Sequence, residues 1–268
     1  MASEPGSVIA AIDELLEGWD TFCESVRVTP VANGARRGRD RTMAQFAVVI
    51  SLVTHVHAVA KVLRPAMPDG ITVAHMPLVR SIYEATLTAA WCDEVPDSAE
   101  AIMKEEGRQR RNLDVAMRSA ASFASAKPIP HVDWAEVETP SAVQGRNFEK
   151  LADDVALDGA YVLFKILSSF SHATVRVVDE YLIEGGGDLD MSFKEKPDPL
   201  GSEGWTLLVA ACLVWAGMVA NFYDPARTRR NALRAIAKRL EVSDELPIKM
   251  TAINRGSRRK VRPKGRSQ

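Results

Sequence analysis

Cysteine is scarce in this sequence, and the three that occur, Cys23, Cys92 and Cys212, stand far apart within helical patterns. Their odd number and wide spacing predict neither a disulfide framework nor a C-x-x-C metal site, and they favour a reducing compartment. The opening residues M-A-S-E-P-G also lack the basic start and the apolar run of a signal peptide. We therefore expect a cytoplasmic protein.

Motifs for common cofactor chemistries are also missing. The sequence has no phosphate-cradling glycine loop, no cluster of metal-ligating residues and no G-x-S-x-G nucleophile elbow. Its one close histidine pair, His55 and His57, falls in a helical pattern, where residues two apart point about 200° away from each other and cannot share an ion. We interpret both histidines as packing or surface residues, and the sequence predicts neither a metal nor a cofactor.

Charge is distributed unevenly along the chain. The 268 residues are 46% hydrophobic and 26% charged, as in an ordinary soluble protein, and the net charge is −1. From Ala226 to Gln268, however, 14 basic residues face 3 acidic ones, a net of +11, which leaves 20 basic against 32 acidic residues, or −12, for the rest. We predict a helical bundle domain over residues 1–245 and a basic disordered tail over 246–268.

Apolar residues recur at helical spacing along most of the chain. This pattern predicts an all-α protein, a single helical bundle of about seven or eight helices without internal repeats. Asp97 and Glu100 have the spacing of a capping box that opens one of these helices, and residues 184–204 have the composition of a mobile connection. The predicted helices cover residues 7–27, 40–63, 77–92, 97–125, 146–158, 161–182, 205–223 and 225–240.

One predicted helix, residues 205–223, is nearly long and apolar enough to cross a bilayer, and Arg227, Arg229 and Arg230 follow it. A single-span membrane protein is therefore an alternative. Against it, the run is rich in alanine and glycine, contains Asn221, and is the only stretch of this strength that we identify. We favour a buried helix of the bundle.

An ion pair stands on an otherwise apolar helix. Residues 77–92 are apolar or small almost everywhere except at Arg80 and Glu84, which lie one helical turn apart. They share a face with the large residues Tyr83, Leu87 and Trp91. We expect this pair to be at least partly desolvated and to need further polar partners.

A second polar stripe follows the predicted helix over residues 161–182. Two interpretations stay open: a solvated face of an amphipathic helix, or a buried polar seam whose middle holds two serines and a histidine. In the second interpretation the stripe supplies partners for Arg80 and Glu84. Its members are Tyr161, Lys165, Ser168, Ser169, His172, Arg176 and Asp179.

The motifs R80-S-I-Y-E84 and Tyr161 followed by L167-S-S-F-S-H172 together resemble an uncharacterised helical family of bacteria and phages, the domain of unknown function five-six-seven-seven. The resemblance covers roughly residues 43–223 and implies a helical fold without an established reaction. It invites comparison with the HEPN ribonucleases of toxin and phage-defence systems. Those enzymes carry an arginine a few residues before the catalytic histidine on one helix, whereas Lys165 stands seven residues before His172 here.

Two functional hypotheses come from different classes. The first is a binding or regulatory module, associated with phage defence, whose basic arm contacts nucleic acid or an acidic protein. The residues of this arm are Arg255, Arg258, Arg259, Lys260, Arg262, Lys264 and Arg266.

The second hypothesis is a metal-independent, HEPN-like ribonuclease. His172 is its general base or acid, Arg80 stabilises an anionic intermediate, and Glu84 orients Arg80, with Tyr161 or Ser169 in support. A third interpretation gives the polar cluster a purely structural role in fixing the register of the helices. Homo-oligomer formation stays open under all three.

Overall fold

The computed structural model describes residues 5–26, 28–29, 41–123, 127–130, 139–184, 191–201 and 203–258. Within these residues the protein is all-α, as predicted, with eleven α-helices and one two-stranded antiparallel sheet. Seven of the helices have ten residues or more. The elements in chain order are α1 (Pro5–Ser25), α2 (Met43–Leu63), α3 (Met76–Glu94), α4 (Ser98–Ser119), α5 (Ala142–Arg146), α6 (Phe148–Asp154), α7 (Ala160–Ser171), α8 (Val175–Asp179), β1 (Leu182–Glu184), β2 (Met191–Phe193), α9 (Glu203–Asn221), α10 (Arg230–Arg239) and α11 (Met250–Gly256).

Helices α3 and α9 form the centre of the bundle. Helix α3 packs against α2, α7 and α9, while α9 also contacts α1, α2 and α10. Twelve of the nineteen residues of α3 and fourteen of the nineteen of α9 are buried. Trp91 and Tyr83 of α3 are fully buried, and burial of each side chain contributes on the order of 2–3 kcal/mol. An apolar helix without a continuous polar face is stable here because neighbours surround it.

Two of the described helical segments, Met43–Ala66 and Glu203–Asn221, are long and apolar enough to cross a membrane. The expectation that residues 205–223 are the only such stretch is therefore wrong. In Glu203–Asn221, 72% of the apolar window lies inside the fold, compared with 33% in Met43–Ala66. Helix α2 accordingly leaves Met43 and Val62 exposed on its outer face.

The predicted helix over residues 161–182 is broken. Helix α7 ends at Ser171, and His172 follows it with an extended backbone (φ −115°, ψ 160°) before α8 begins at Val175. Hydroxyl groups near the break bond to the main chain: Ser168 donates to the carbonyl of Phe164, and Thr174 donates to that of Ser169. Such bonds offer the backbone an alternative to the helix. The helix therefore stops at Ser171, although the apolar period of the sequence continues beyond it.

The predicted connection over residues 184–204 contains regular structure. Strands β1 and β2 pair antiparallel, with Leu182 opposite Phe193 and Ile183 opposite Ser192. Further along, Thr72 and Pro199 form an isolated bridge. The glycines and acidic residues at 185–190, on which the prediction of a mobile connection partly rested, lie outside the described residues.

The capping box predicted for Asp97 and Glu100 is wrong. Asp97 precedes α4, but its side chain makes no capping bond to that helix. Its carboxylate accepts instead from the backbone N–H of Ser141 at 2.8 Å and from the Ser141 hydroxyl at 2.7 Å. Both groups are buried, so this long-range pairing satisfies two polar side chains that water cannot reach.

The packed chain extends beyond residue 245, the predicted end of the bundle domain. Leu246 and Ile248 are buried, Ile248 forms a bridge with Val155, and α11 buries Ala252 and Ile253. Apolar residues at 246, 248, 252 and 253 are few, but each meets the bundle. The basic composition of residues 246–268 predicts a tail, whereas the contacts of these few apolar residues appear only in the fold.

Candidate functional site

Arg80 and His172 meet at the surface between α3 and α7. Nη1 of Arg80 lies 2.7 Å from Nε2 of His172, which occupies the position just after α7. Because a guanidinium group can only donate, this contact is a hydrogen bond in which Nε2 of His172 accepts, which corresponds to the tautomer with its hydrogen on Nδ1. The predicted convergence of these two residues is present in the structure.

Glu84 holds the other edge of the Arg80 guanidinium. Nε of Arg80 is 3.2 Å from Oε2 of Glu84, and Nη2 donates to Oε1 at 3.5 Å. The Arg80 and Glu84 side chains are 21% and 33% exposed, and His172 is exposed. The three groups form a cluster, here called the RHE cluster, that solvent and a ligand can reach.

Phe164 supports Arg80 from α7, and sequence reasoning missed it. The guanidinium carbon lies 4.9 Å from the centroid of the Phe164 ring, within cation–π distance. Phe148 of α6 packs on the same ring at 4.4 Å. The signal in the sequence is the step of four that links residues 164, 168 and 172, which predicts that they share one helix face.

Two other predicted residues do not join the cluster. Ser169 lies near His172, but its hydroxyl donates to the carbonyl of Ile166 at 2.7 Å. Tyr161 stands at the opposite end of α7, roughly 16 Å from His172 along the helix. It lines a separate 480 Å³ cavity, and loss of hydration together with the Glu149 carboxylate raises the pKa of its phenol.

The two close histidines of α2 point in different directions. His55 is exposed, and its Nε2 lies 3.0 Å from the hydroxyl of Ser81, the residue after Arg80. His57 is fully buried and stacks on Trp19 at 4.1 Å, and Nδ1 donates to the carbonyl of Val53 at 2.8 Å. Burial lowers the pKa of His57 from its ordinary 6.5 to about 3. Over the described ranges, no group of three or more histidines, cysteines or carboxylates is placed to hold a metal ion.

Arg255 belongs to the folded body rather than to a basic arm. Its guanidinium donates twice to the Asp154 carboxylate, and its Nε donates to the Ser141 hydroxyl at 3.2 Å. The same carboxylate accepts from the indole N–H of Trp91 at 2.9 Å. Arg255 therefore ties α11 to α3, α5 and α6. Of the other predicted arm residues, Arg258 is described and exposed, whereas Arg259, Lys260, Arg262, Lys264 and Arg266 lie outside the described residues.

The fold and the RHE cluster define a helical protein with a charged, surface-accessible Arg–Glu–His site. The model of a family of unknown function (DUF5677) matches residues 46–189, more than half of the chain, and this range contains the whole cluster. The chain belongs to this family. Searches of the curated proteins and of the solved structures find no match.

Proposed function

We propose that the protein is a metal-independent endoribonuclease that uses the RHE cluster. The observation that carries this proposal is the 2.7 Å contact between Nη1 of Arg80 and Nε2 of His172. In this contact a permanent cation lies beside an imidazole whose Nε2 can act as a base. A cation and a base within one hydrogen bond of each other are the two groups that cleavage of an RNA phosphodiester needs first.

RNA suits this site because it supplies its own nucleophile, the 2′-hydroxyl. A phosphate oxygen that binds Nη1 of Arg80 draws this donor away from His172 and frees Nε2 to accept the 2′-hydroxyl proton. Arg80 then stabilises the charge that develops on the phosphoryl oxygens, while Glu84 keeps the guanidinium oriented. Phe164 limits the movement of the guanidinium from below and offers an apolar wall.

Exposure favours a functional cluster over a purely structural one. A polar group that only fixes the register of packed helices is expected inside the bundle, as Asp97 and Ser141 are. The RHE cluster instead lies partly in solvent, with His172 exposed. An exposed ion pair contributes little to stability, so its position is better suited to binding an anion.

Arginine and histidine are also the residues that HEPN ribonucleases combine, but in a different arrangement. Those enzymes place arginine and histidine on one helix, whereas here Arg80 comes from α3 and His172 from the end of α7. Packing of two helices thus brings together a pair that the motif spacing alone does not. Cleavage of RNA would place the protein in the cytoplasm and would suit a role in phage defence.

A basic arm is a second element of the proposal, because the chain from Ala226 onward carries a net charge of +11. Arg258 is exposed where the described chain ends, and five further basic residues follow it in the sequence. Such an arm would bind the phosphates of the substrate or of another acidic partner. With about six phosphate contacts, the logarithm of the binding constant for single-stranded RNA should fall against the logarithm of salt concentration with a slope near −4.

The test is cleavage of a single-stranded RNA that carries a fluorophore and a quencher, in the presence of EDTA. We expect the wild-type protein to yield fragments ending in a 2′,3′-cyclic phosphate, identified by mass spectrometry. His172→Gln should cleave about 10²–10⁴ times more slowly. Ser169→Ala, three residues before His172, is the matched control and should retain the rate. Cleavage that equals the His172→Gln background, or that persists on a DNA strand without 2′-hydroxyls, would contradict the proposal.

A further inference from the structure

A polar stripe on α3 brings a second histidine close to the RHE cluster. Arg80, Ser81 and Glu84 are partly exposed, while Val79, Ile82, Tyr83 and Ala85 on the other faces of the helix are buried. Helix α7 packs on α3 and supplies His172 to Arg80, and helix α2 packs on α3 and supplies His55 to Ser81.

The helical geometry of α3 places Glu84 between these two contacts. At about 100° per residue, Ser81 points about 100° and Glu84 about 40° away from the direction of Arg80. Residues three and four apart on a helix surface are neighbours, so Glu84 lies beside both Ser81 and Arg80. His172, from the α7 side, and His55, from the α2 side, therefore contact neighbouring residues of one short stretch of α3.

We infer that His55 is the general acid of the proposed ribonuclease and protonates the departing 5′-oxygen. Its Nε2 is 3.0 Å from the Ser81 hydroxyl, which orients the ring. No residue in the described part of the chain bonds to its Nδ1, and the side chain is exposed, so Nδ1–H can reach a bound substrate.

The reaction then balances with these two histidines alone. Nε2 of His172 takes the 2′-hydroxyl proton, and the 2′-oxygen bonds to phosphorus. The bond between phosphorus and the 5′-oxygen breaks, the electron pair stays on that oxygen, and Nδ1 of His55 gives it a proton. The products are a 2′,3′-cyclic phosphate and a 5′-hydroxyl, and exchange with water restores the starting protonation states.

This inference rests on the proposed function, and a comparison of two substrates separates their failures. The first is the single-stranded RNA used above, whose 5′-oxygen needs a proton to leave. The second is uridine 3′-(4-nitrophenyl phosphate), which is cleaved through the same 2′-hydroxyl but releases 4-nitrophenolate without protonation. Loss of a general acid should slow the first substrate far more than the second.

We expect His55→Gln to cleave RNA about 10²-fold or more slowly and to cleave the nitrophenyl ester within about threefold of the wild-type rate. His172→Gln, which lacks the base, should lose both activities. His55 and His172 are both exposed, so both variants should fold. Thermal unfolding curves that coincide with that of the wild type would check this.

If wild-type protein cleaves neither substrate, the proposed function fails and this inference with it. If wild-type protein cleaves RNA and His55→Gln cleaves it equally fast, the ribonuclease stands and the role of His55 is overturned. Equal losses on the two substrates in His55→Gln would also overturn it, since a residue that only binds or positions RNA does not distinguish leaving groups.

Discussion

Nη1 of Arg80 donates to Nε2 of His172 at 2.7 Å, although ninety-two residues separate them in the chain. The same guanidinium contacts Glu84 through Nε and Nη2, so one planar group holds two partners at once. Lysine cannot reproduce this arrangement, because its ammonium is a single point donor. Replacing Arg80 by lysine therefore tests whether the planar shape of the guanidinium, or only its charge, is needed for activity.

Arg80→Lys should lower kcat for RNA cleavage by about 10²-fold, nearly as much as Arg80→Gln, because neither side chain can hold Glu84 and stabilise a phosphoryl oxygen together. The measurement is kcat and KM for each variant on the RNA substrate. Unfolding in urea should differ from wild type by less than about 1 kcal/mol, since the pair is partly exposed. A lysine variant with wild-type kcat would show that charge alone suffices.

Arg41 and Asp93 form a buried ion pair between the start of α2 and the end of α3. Nε of Arg41 is 2.5 Å from Oδ1, Nη2 donates to Oδ2 at 3.0 Å, and the side chains are 4% and 0% exposed. Burial opposes the charge on Arg41, but the Asp93 carboxylate outweighs this effect and raises the pKa of the guanidinium. Asp93→Ala should destabilise the protein by about 3–5 kcal/mol, because it leaves a buried cation without a partner.

The double variant Arg41→Met, Asp93→Leu separates two quantities: the destabilisation caused by an unpaired buried charge, and the net contribution of the ion pair to stability. It removes both charges, so we expect it to unfold at a higher urea concentration than Asp93→Ala. Urea titration of the wild type, of Arg41→Met and Asp93→Leu as single variants, and of the double variant gives the coupling free energy. Additive single and double effects would mean that the two charges do not interact.

Arg255 should contribute to folding although it lies in the basic end of the chain. Arg255→Ala leaves Asp154 with the Trp91 indole as its remaining described donor, and we expect a loss of about 2–3 kcal/mol in the free energy of unfolding. Arg258→Ala, at an exposed position three residues later, is the control and should change it by less than about 0.5 kcal/mol. Equal losses of unfolding free energy in the two variants would show that the bonds of Arg255 to Asp154 and Ser141 do not stabilise the fold.

His57 should make stability depend on pH. Burial lowers its pKa from 6.5 to about 3, so between these values the unfolded chain binds a proton that the folded protein does not. The contribution of His57 to the free energy of unfolding is therefore fully present well above pH 6.5. As the pH falls below 6.5, this contribution decreases by about 1.4 kcal/mol for each pH unit, down to about pH 3.

His57→Phe keeps an aromatic ring against Trp19 but has no titrating nitrogen. Between pH 6.5 and 4.5 the wild type should therefore lose about 2.3 kcal/mol of unfolding free energy relative to the variant. Urea titrations at four or more pH values measure both curves, and carboxylates common to the two proteins cancel. Parallel curves would show that the imidazole titrates normally in the fold.

Gly256 should tolerate no side chain, because α11 approaches the start of α4 closely there. A Cβ atom at this position would lie 2.6 Å from Oδ1 of Asp97, 2.8 Å from Cδ of Pro96 and 2.9 Å from Cγ1 of Val95. Gly256→Ala should cost about 1–3 kcal/mol. Gly204→Ala, in the first turn of α9 with nothing within 4 Å of its Cβ, should be neutral or stabilising by up to about 1 kcal/mol. Thermal unfolding of both variants checks the contrast.

Local pattern alone determined the all-α class, the family resemblance and the course of the long helices. The period of the apolar residues reports which face of a segment is buried, and Pro65 and Gly159 mark breaks that depend on a few neighbouring residues. The pairing of Arg80 with Glu84 was predictable for the same reason, since residues four apart on a helix always lie side by side.

Tertiary structure decided which distant groups meet these residues. Asp97 had the spacing of a helix cap but pairs with Ser141, and Arg255 had the composition of an arm but pairs with Asp154. A carboxylate accepts equally well from many donors, so local sequence does not choose among them. His172 reaches Arg80, and His55 reaches Ser81, because α7 and α2 pack on α3. The sequence by itself determined the helices and the Arg80–Glu84 pair, whereas only the packing of those helices assembled the site.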